Sequence, residues 1–156
     1  MSKSLKRVTR ALHDAGLDPD VREMAESTRT AVDAAAAIGC QVDQIAKSII
    51  FAGESSGNIH LFLTAGGNQV DPAKAAMVAG EPLRRADAAE IRAKTGFAIG
   101  GVAPLGHLNP LPAYFDPRLG EFPEIWAAAG TPRHVFAISP DELLKLTGAQ
   151  TTDFAP

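Results

Sequence analysis

Cysteine, aromatic side chains and long apolar runs are all scarce in this chain of 156 residues. The single cysteine, Cys40, excludes an internal disulfide and any zinc site built from several thiolates. No apolar stretch is long enough to span a bilayer, and the basic start lacks the pattern of a signal peptide. Phosphate-binding and dinucleotide-binding glycine motifs are missing as well. The sequence therefore predicts a cytoplasmic protein with no metal, no cofactor and no membrane contact.

An excess of positive charge is also missing. The chain has 15 Lys and Arg against 18 Asp and Glu, which gives a formal net charge of −3. Proteins that bind long nucleic acids cluster cations along the phosphate backbone, so we expect no DNA partner. Contact with one end of one RNA stays open, because basic residues gather at Lys3–Arg10 and Arg84–Arg85. Such groups are equally typical of a solvated surface.

Helix and strand signals alternate along the chain and predict a single domain of mixed α/β fold. Amphipathic spacing, polar caps and terminal glycines predict about five helices, over residues 5–15, 31–38, 72–79, 86–94 and 140–146. Apolar and β-branched runs predict six or seven strands, among them 21–24, 45–51, 59–64, 97–99, 113–115 and 135–138. The turn residues at 53–58 favour a hairpin, and the glycines and prolines of 100–112 indicate a long loop.

A lysine interrupts the most apolar of these strands. Lys47 lies between Ile45 and Phe51, where a charged side chain is costly unless it is paired or reaches a wet cleft. Strand alternation places it on the face opposite Ala46 and Ser48, which argues against a Ser–Lys catalytic pair. The simpler alternative is a lysine on the solvent face of an edge strand.

A glycine pair opens the long loop and is the second candidate for chemistry. Gly100 and Gly101 let the backbone approach a ligand and present its N–H groups, while Pro104 stiffens the turn. Such donors can stabilise the oxyanion that forms when an ester carbonyl is attacked. A purely structural loop has the same composition, so the pattern alone leaves both readings open.

Two more polar residues follow the glycine pair. His107 could serve as a base or ligand, although a lone loop histidine is more commonly a hydrogen-bonding surface residue. Asp116 could orient Lys47 or a substrate amine, or could simply cap the turn that begins at Pro117.

Taken together, the two motifs resemble those of the YbaK/EbsC (ProX-like) aminoacyl-tRNA deacylases, which are related to the editing insertion of bacterial prolyl-tRNA synthetase. The resemblance is carried by Gln44–Ser48 and by the Gly-Gly-x-x-Pro-x-Gly segment Gly100–Gly106, at this separation. It extends over almost the whole chain, through 70–74, 95–99, Asp116 and 146–149.

The resemblance implies a compact fold around a mixed, barrel-like sheet. It also implies hydrolysis of the ester that joins a small amino acid, such as Ala, Cys, Ser or Thr, to the terminal adenosine of tRNA, often tRNA(Pro). The partners would be the 3′ end of an aminoacyl-tRNA and a prolyl-tRNA synthetase. Catalytic roles would fall to Lys47, Gly101 and Asp116. We expect the substrate to contact Thr30, Thr64, Gly100, Val102, Ala103, Pro104, Gly106 and His107.

Two other functions are compatible with the sequence. The chain could bind an aminoacyl end without hydrolysing it, or it could be an interaction module that docks on a synthetase. The second would need apolar surface, for which the aromatic residues of 114–126 are candidates, although residues in such a pattern are more commonly core. Hydrolysis of charged tRNAs would separate a deacylase from both alternatives.

Overall fold

The computed structural model describes residues 2–25 and 30–156. The helices of these residues are α1 (Lys3–Asp14), α2 (Ala31–Ile38), α3 (Pro72–Ala79), α4 (Ala88–Thr95) and α5 (Pro140–Thr147). The strands are β1 (Asp20–Glu23), β2 (Ile45–Gly53), β3 (Ile59–Ala65), β4 (Leu83–Arg85), β5 (Ala113–Phe115), β6 (Ile125–Ala128), β7 (His134–Ile138) and β8 (Gln150–Thr151). The mixed α/β class is confirmed.

Helix ends lie where the sequence places polar caps and glycines. The Thr30 hydroxyl accepts the N–H of Asp33 at 3.1 Å and begins α2. Gly39 ends that helix with φ of 88°, a left-handed conformation that costs glycine little. Asp87 caps α4, so this helix begins at Ala88 and not at residue 86 as predicted.

The eight strands form one mixed sheet in the order β1-β7-β6-β2-β3-β5-β8, with β4 paired to β2. The predicted hairpin is confirmed, because β2 and β3 pair antiparallel from Ala46 opposite Ala65 to Ala52 opposite Ile59. Parallel pairings join β2 to β6, β3 to β5 and β5 to β8. The sheet is therefore mixed, as expected, and its centre is the hairpin that carries Lys47.

One predicted strand is wrong, and three short strands were not predicted. Residues 97–99 form no strand and lead into a turn at residues 99–100, because Phe97 N–H donates to the Thr95 hydroxyl and Gly101 N–H donates to the Ala98 carbonyl. The Phe97 ring is fully buried, with the Arg7 guanidinium 4.6 Å from its centroid. The unpredicted strands are β4, β6 and β8.

One edge of β2 is only partly paired with other strands. On the edge away from β3, β6 pairs with β2 only at Ile45 and Ala46. On the same edge, β4 pairs with β2 only from Phe51 to Gly53. Between them, residues 47–50 have no neighbouring strand among the residues that the structure describes. The central strand β2 thus has an open edge over residues 47–50.

The apolar residues of the domain pack on both sides of this sheet. The main cluster joins α1 (through Val8 and Leu12) to the inward faces of β2, β3 and β7 and to Val102 of the long loop. Tyr114, Phe115 and Trp126 are also buried, which confirms them as core and not docking surface, and Phe122 is half-buried against the main cluster. None of the described helices combines the length and the apolar composition needed to cross a membrane.

Candidate active-site cleft

A cleft of about 620 Å³ opens along the free edge of β2. This volume lies in the range of about 300–1,000 Å³ that is usual for small-molecule sites. Its walls come from α2, the start of α4, the glycine loop and β6, and every residue of β2 from Ile45 to Phe51 contributes to them. The cleft brings together Thr30, Lys47, Gly100 and Val102, which belong to distant parts of the sequence.

The open edge of β2 divides this cleft into two halves. The inner half, on the side of the main core, is formed by Ser48, Ile50, Ile91, Val102 and Ala127. The core packs there, since Ile50, Ile91, Val102 and Ala127 belong to one apolar cluster. The outer half is formed by Thr30, Val32, Lys47, Ile49 and Gly66. Alternation along β2 therefore sends Lys47 to the outer half and Ser48 to the inner one.

The Lys47 side chain is held inside a polar network and does not simply extend into solvent. Its Nζ donates to the Asn68 backbone carbonyl at 2.6 Å. Burial lowers the pKa of Lys47, and the negative charges of Asp116 and Asp43 offset part of that shift. The solvent-face alternative for this lysine therefore does not describe its surroundings.

Asp116 organises the network around Lys47. Its buried carboxylate accepts the Ala65 N–H at 3.0 Å and the Asn68 side-chain amide at 2.9 Å through one oxygen. The other oxygen accepts the Arg118 N–H at 3.0 Å and caps the short 3₁₀ turn Pro117–Glu121. Asp116 is thus both the turn cap and a neighbour of Lys47, and Asn68 links the two.

Three members of this network could not be found from the sequence pattern. Asn68 carries the carbonyl that holds Lys47, and Arg118 Nε donates to Asp43 at 2.9 Å. The other Asp43 oxygen accepts the Gly67 N–H at 2.8 Å. These side chains come from three separate segments, and the pairing of β3 with both β2 and β5 places them side by side.

The glycine loop contributes in a different way from the one expected. Gly101 N–H donates to the Ala98 carbonyl at 3.0 Å, so it is not free to bind an oxyanion. A Cβ on Gly101 would lie 2.7 Å from the Thr131 carbonyl carbon, so glycine permits the loop to pack against the β6–β7 turn. Gly100 and Val102 both line the cleft, and their N–H groups donate to no acceptor in the part of the chain that the structure describes. These two groups are the candidate oxyanion donors.

The comparison with known families bears on this arrangement. The family model described as the aminoacyl-tRNA editing domain matches residues 25–146, which is most of the chain. The chain belongs to the aminoacyl-tRNA editing domain family.

Relatives of this editing domain support the assignment. The uncharacterised protein YwhH of Bacillus subtilis (strain 168) is 32% identical over 140 residues, covering 90% of this chain and 88% of YwhH. The Enterococcus faecalis (strain ATCC 700802 / V583) protein named "Putative Cys-tRNA(Pro)/Cys-tRNA(Cys) deacylase EbsC" is 24% identical over 126 residues, covering 80% of this chain and 76% of EbsC. A crystal structure described as "a putative trans-editing enzyme for prolyl tRNA synthetase" is 51% identical, with a TM-score of 0.92, and covers 100% of this chain and 99% of its own.

Several residues that the sequence analysis assigned to substrate lie behind the cleft of this editing domain. His107 Nε2 donates to the Ala103 carbonyl at 2.7 Å, and burial lowers the pKa of His107. The Gly106 carbonyl accepts Arg7 Nε at 2.8 Å. Thr64 is fully buried, and its hydroxyl donates to the Phe62 carbonyl. With the buried Pro104, they support the loop and strand that form the cleft walls.

Conversion of Asp116 to Asn tests whether the Asp116 carboxylate holds the network around Lys47 together. The amide keeps the shape but places an NH₂ group against one of the three N–H donors, so a buried donor loses its acceptor. We expect a loss of about 1–3 kcal/mol in the free energy of unfolding, measured by denaturant titration. The matched control is Asp153→Asn, whose exposed carboxylate bonds Lys74 at the surface. Equal stability of the two variants would contradict this account of Asp116.

Proposed function

We propose that this editing domain hydrolyses the ester between a small amino acid and the terminal adenosine of tRNA. The candidate amino acids are Ala, Cys, Ser and Thr, and tRNA(Pro) is the first candidate carrier. The observation that carries the proposal is one cleft along the open edge of β2, lined by Lys47 in its outer half and by Gly100 and Val102 of the glycine loop. The names of the EbsC relative and of the trans-editing structure support the same chemistry.

The inner half of the cleft suits the acyl carbon of such an ester. An aminoacyl ester is already activated, so water can attack it without a protein nucleophile. As the new C–O bond forms, the carbonyl oxygen becomes negative and accepts hydrogen bonds from the Gly100 and Val102 N–H groups. The bond to the ribose oxygen then breaks, that oxygen takes the proton that the attacking water has lost, and a free amino acid and an intact tRNA leave.

The single cysteine is not required by this reaction. Cys40 lies outside the cleft walls, and burial raises the pKa of its thiol. A raised pKa leaves less thiolate, which is the nucleophilic form. The side chain therefore fits the small packing residue that its position after α2 suggests.

The outer half suits the nucleotide. The Lys47 ammonium can donate to a ribose hydroxyl or to a phosphate oxygen and so place the ester across the edge of β2. Val32 and Ile99 both line the cleft and are each 62% exposed, which is unusual for large apolar side chains. We assign Val32 and Ile99 as the contact surface for the adenine ring, whose apolar faces would cover these side chains when the substrate binds.

Selectivity by size follows from the walls. We expect the branched side chains of Ile50, Ile91 and Val102, which line the inner half, to limit the size of the acyl side chain. Apolar walls distinguish one methylene by only about 1–3 kcal/mol, so neighbouring small amino acids would compete. The proposal therefore predicts activity on several small esters and rejection of large ones such as phenylalanyl-tRNA.

The direct test is hydrolysis of Ala-, Cys-, Ser-, Thr- and Phe-charged tRNA, each on tRNA(Pro) and on its cognate tRNA. The proposal expects release of at least one small amino acid faster than the spontaneous rate, and no release of Phe. Retention of every ester together with saturable binding would make the chain a binding module. Retention without binding, together with capture by a prolyl-tRNA synthetase, would make it an interaction protein.

Two adjacent arginines offer a matched test of where RNA binds. Arg85 lines the cleft and forms no ion pair with the described residues, whereas both guanidinium nitrogens of Arg84 bond Glu90 at 2.8 Å. We expect Arg85→Ala to raise KM for charged tRNA about fivefold. If Arg85 meets a phosphate of the single-stranded end, the slope of log KM against log salt should fall by about 0.7. Arg84→Ala should change neither value, and equal effects of both variants would contradict the assignment.

A further inference from the structure

One hydroxyl of the cleft has no hydrogen-bond partner. Ser48 Oγ is the one buried side-chain oxygen or nitrogen without a partner in residues 2–25 and 30–156. Buried hydroxyls are nearly always partnered, because desolvation without a hydrogen bond destabilises the fold. An alanine at this position of β2 would avoid that cost, as Ala46 and Ala52 do on the same face. The Ser48 hydroxyl therefore needs an explanation outside the packing of the free protein.

The location of Ser48 points to a ligand. The residue lies on the wall of the cleft and is itself only half buried, although its Oγ is hidden from solvent. One change of χ1 to another staggered position would move the hydroxyl from its unpartnered place, and such changes are fast. In the inner half the side chains around it are apolar, namely Ile50, Ile91, Val102 and Ala127. A polar group that entered this half would find one side-chain partner there, Ser48.

We propose that Ser48 is a specificity-determining residue that favours acyl groups with a hydroxyl on the side chain, serine above alanine. This inference rests on the proposed function, since it assumes that the inner half receives the acyl group. A seryl hydroxyl and the Ser48 hydroxyl would satisfy each other, because each can donate and accept. An alanyl group would leave Ser48 unpartnered, as it is in the free protein. Sites that hydrogen-bond a substrate hydroxyl discriminate far better than apolar walls do.

The test compares the parent protein with Ser48→Ala on seryl- and alanyl-tRNA(Pro). We expect the ratio of kcat/KM for the seryl ester to that for the alanyl ester to fall about tenfold in Ser48→Ala, which corresponds to about 1.4 kcal/mol. Ser48→Thr keeps a hydroxyl and should retain most of the parent preference. Ser56→Ala is the matched control, because Ser56 lies in the exposed β2–β3 turn and its hydroxyl bonds Glu81. The kcat/KM ratio of this variant should equal that of the parent.

Two further measurements separate this inference from the deacylase function. Ser48→Ala should melt no lower than the parent, since the hydroxyl that it removes has no partner. Hydrolysis-resistant 3′-amide analogues of seryl- and alanyl-adenosine, titrated by calorimetry, report the preference without any reaction. If the analogues show the tenfold change while no ester is hydrolysed, the function fails and the role of Ser48 stands. If the parent hydrolyses esters but Ser48→Ala keeps the parent ratio, the role of Ser48 is overturned.

Discussion

Replacement of Lys47 by methionine should lower kcat/KM for the preferred aminoacyl-tRNA by about 100-fold or more, the size of effect seen when one well-placed donor is removed from an active site. The side chain keeps its length and its packing along β2, but it loses the ammonium that donates in the outer half of the cleft. The free energy of unfolding should change little. The hydrogen bond to the Asn68 carbonyl contributes only about 0.5–1.5 kcal/mol, and the cost of burying the charge disappears with it.

The pH dependence gives a second view of the same amine. Burial lowers the pKa of Lys47, so its proton is lost at a lower pH than that of a free lysine. If the ammonium is the working form, kcat/KM corrected for spontaneous hydrolysis should fall as pH rises through the lowered pKa. The free energy of unfolding should instead rise with pH between the lowered pKa and the ordinary pKa of lysine, because the unfolded chain binds more protons than the folded one there. Lys47→Met should lose both changes.

Lys74 provides the control for these experiments. It is a half-buried lysine of α3 whose amine bonds Asp153 at 3.0 Å and the Ala155 carbonyl at 2.7 Å, away from the cleft. Lys74→Met removes the same charge from the same kind of side chain, and its kcat/KM should stay within about twofold of the parent, since surface ion pairs contribute little. A Lys47→Met protein as active as this control would remove Lys47 from the proposed mechanism.

Local signals in the sequence were sufficient for the helices and for the central hairpin. The bounds of α2 and α3 agree with prediction because each has its own cap and its own terminal glycine, at Thr30 and Gly39 and at Asp71 and Gly80. The hairpin of β2 and β3 was predictable because the turn and both apolar strands are contiguous. By contrast, β4 and β8 have three and two residues, too few for any periodic signal, and only their pairing defines them.

The candidate site also combines features with a local sequence signal and features that only long-range pairing defines. The lysine segment and the glycine loop could be identified, since each violates the composition expected of its surroundings. Their meeting in one cleft could not be derived from spacing, because it depends on where β6 stops pairing with β2 and β4 begins. For the same reason Asn68 and Asp43 were missed, and the donor expected at Gly101 turned out to be occupied by Ala98. Long-range pairing decides which backbone groups remain free, and the sequence carries no local record of it.

Substitution of Gly101 by alanine should be nearly as damaging as the loss of Lys47, for a different reason. The new Cβ would lie 2.7 Å from the carbonyl carbon and 2.8 Å from the Cα of Thr131, and these backbone atoms cannot move aside as a side-chain tip can. The loop must shift, so we expect a loss of about 1–3 kcal/mol in unfolding free energy, typical of overpacking. The neighbouring Gly100 and Val102 N–H groups shift with it, and a displacement near 1 Å costs about 100-fold in rate.

The control for this substitution is Gly120→Ala, because a Cβ at Gly120 meets no atom within 4 Å. Thermal melting should show Gly101→Ala lowered by several degrees, at about 2–4 °C per kcal/mol for a domain of this size, and Gly120→Ala unchanged. Hydrolysis of charged tRNA should be slower for Gly101→Ala than for Gly120→Ala. The informative comparison is at a temperature where both variants are fully folded, since a rate loss there comes from misplaced donors and not from unfolding. If folded Gly101→Ala retains the parent rate, the donors of the glycine loop do not act on the ester, and the oxyanion assignment to Gly100 and Val102 fails.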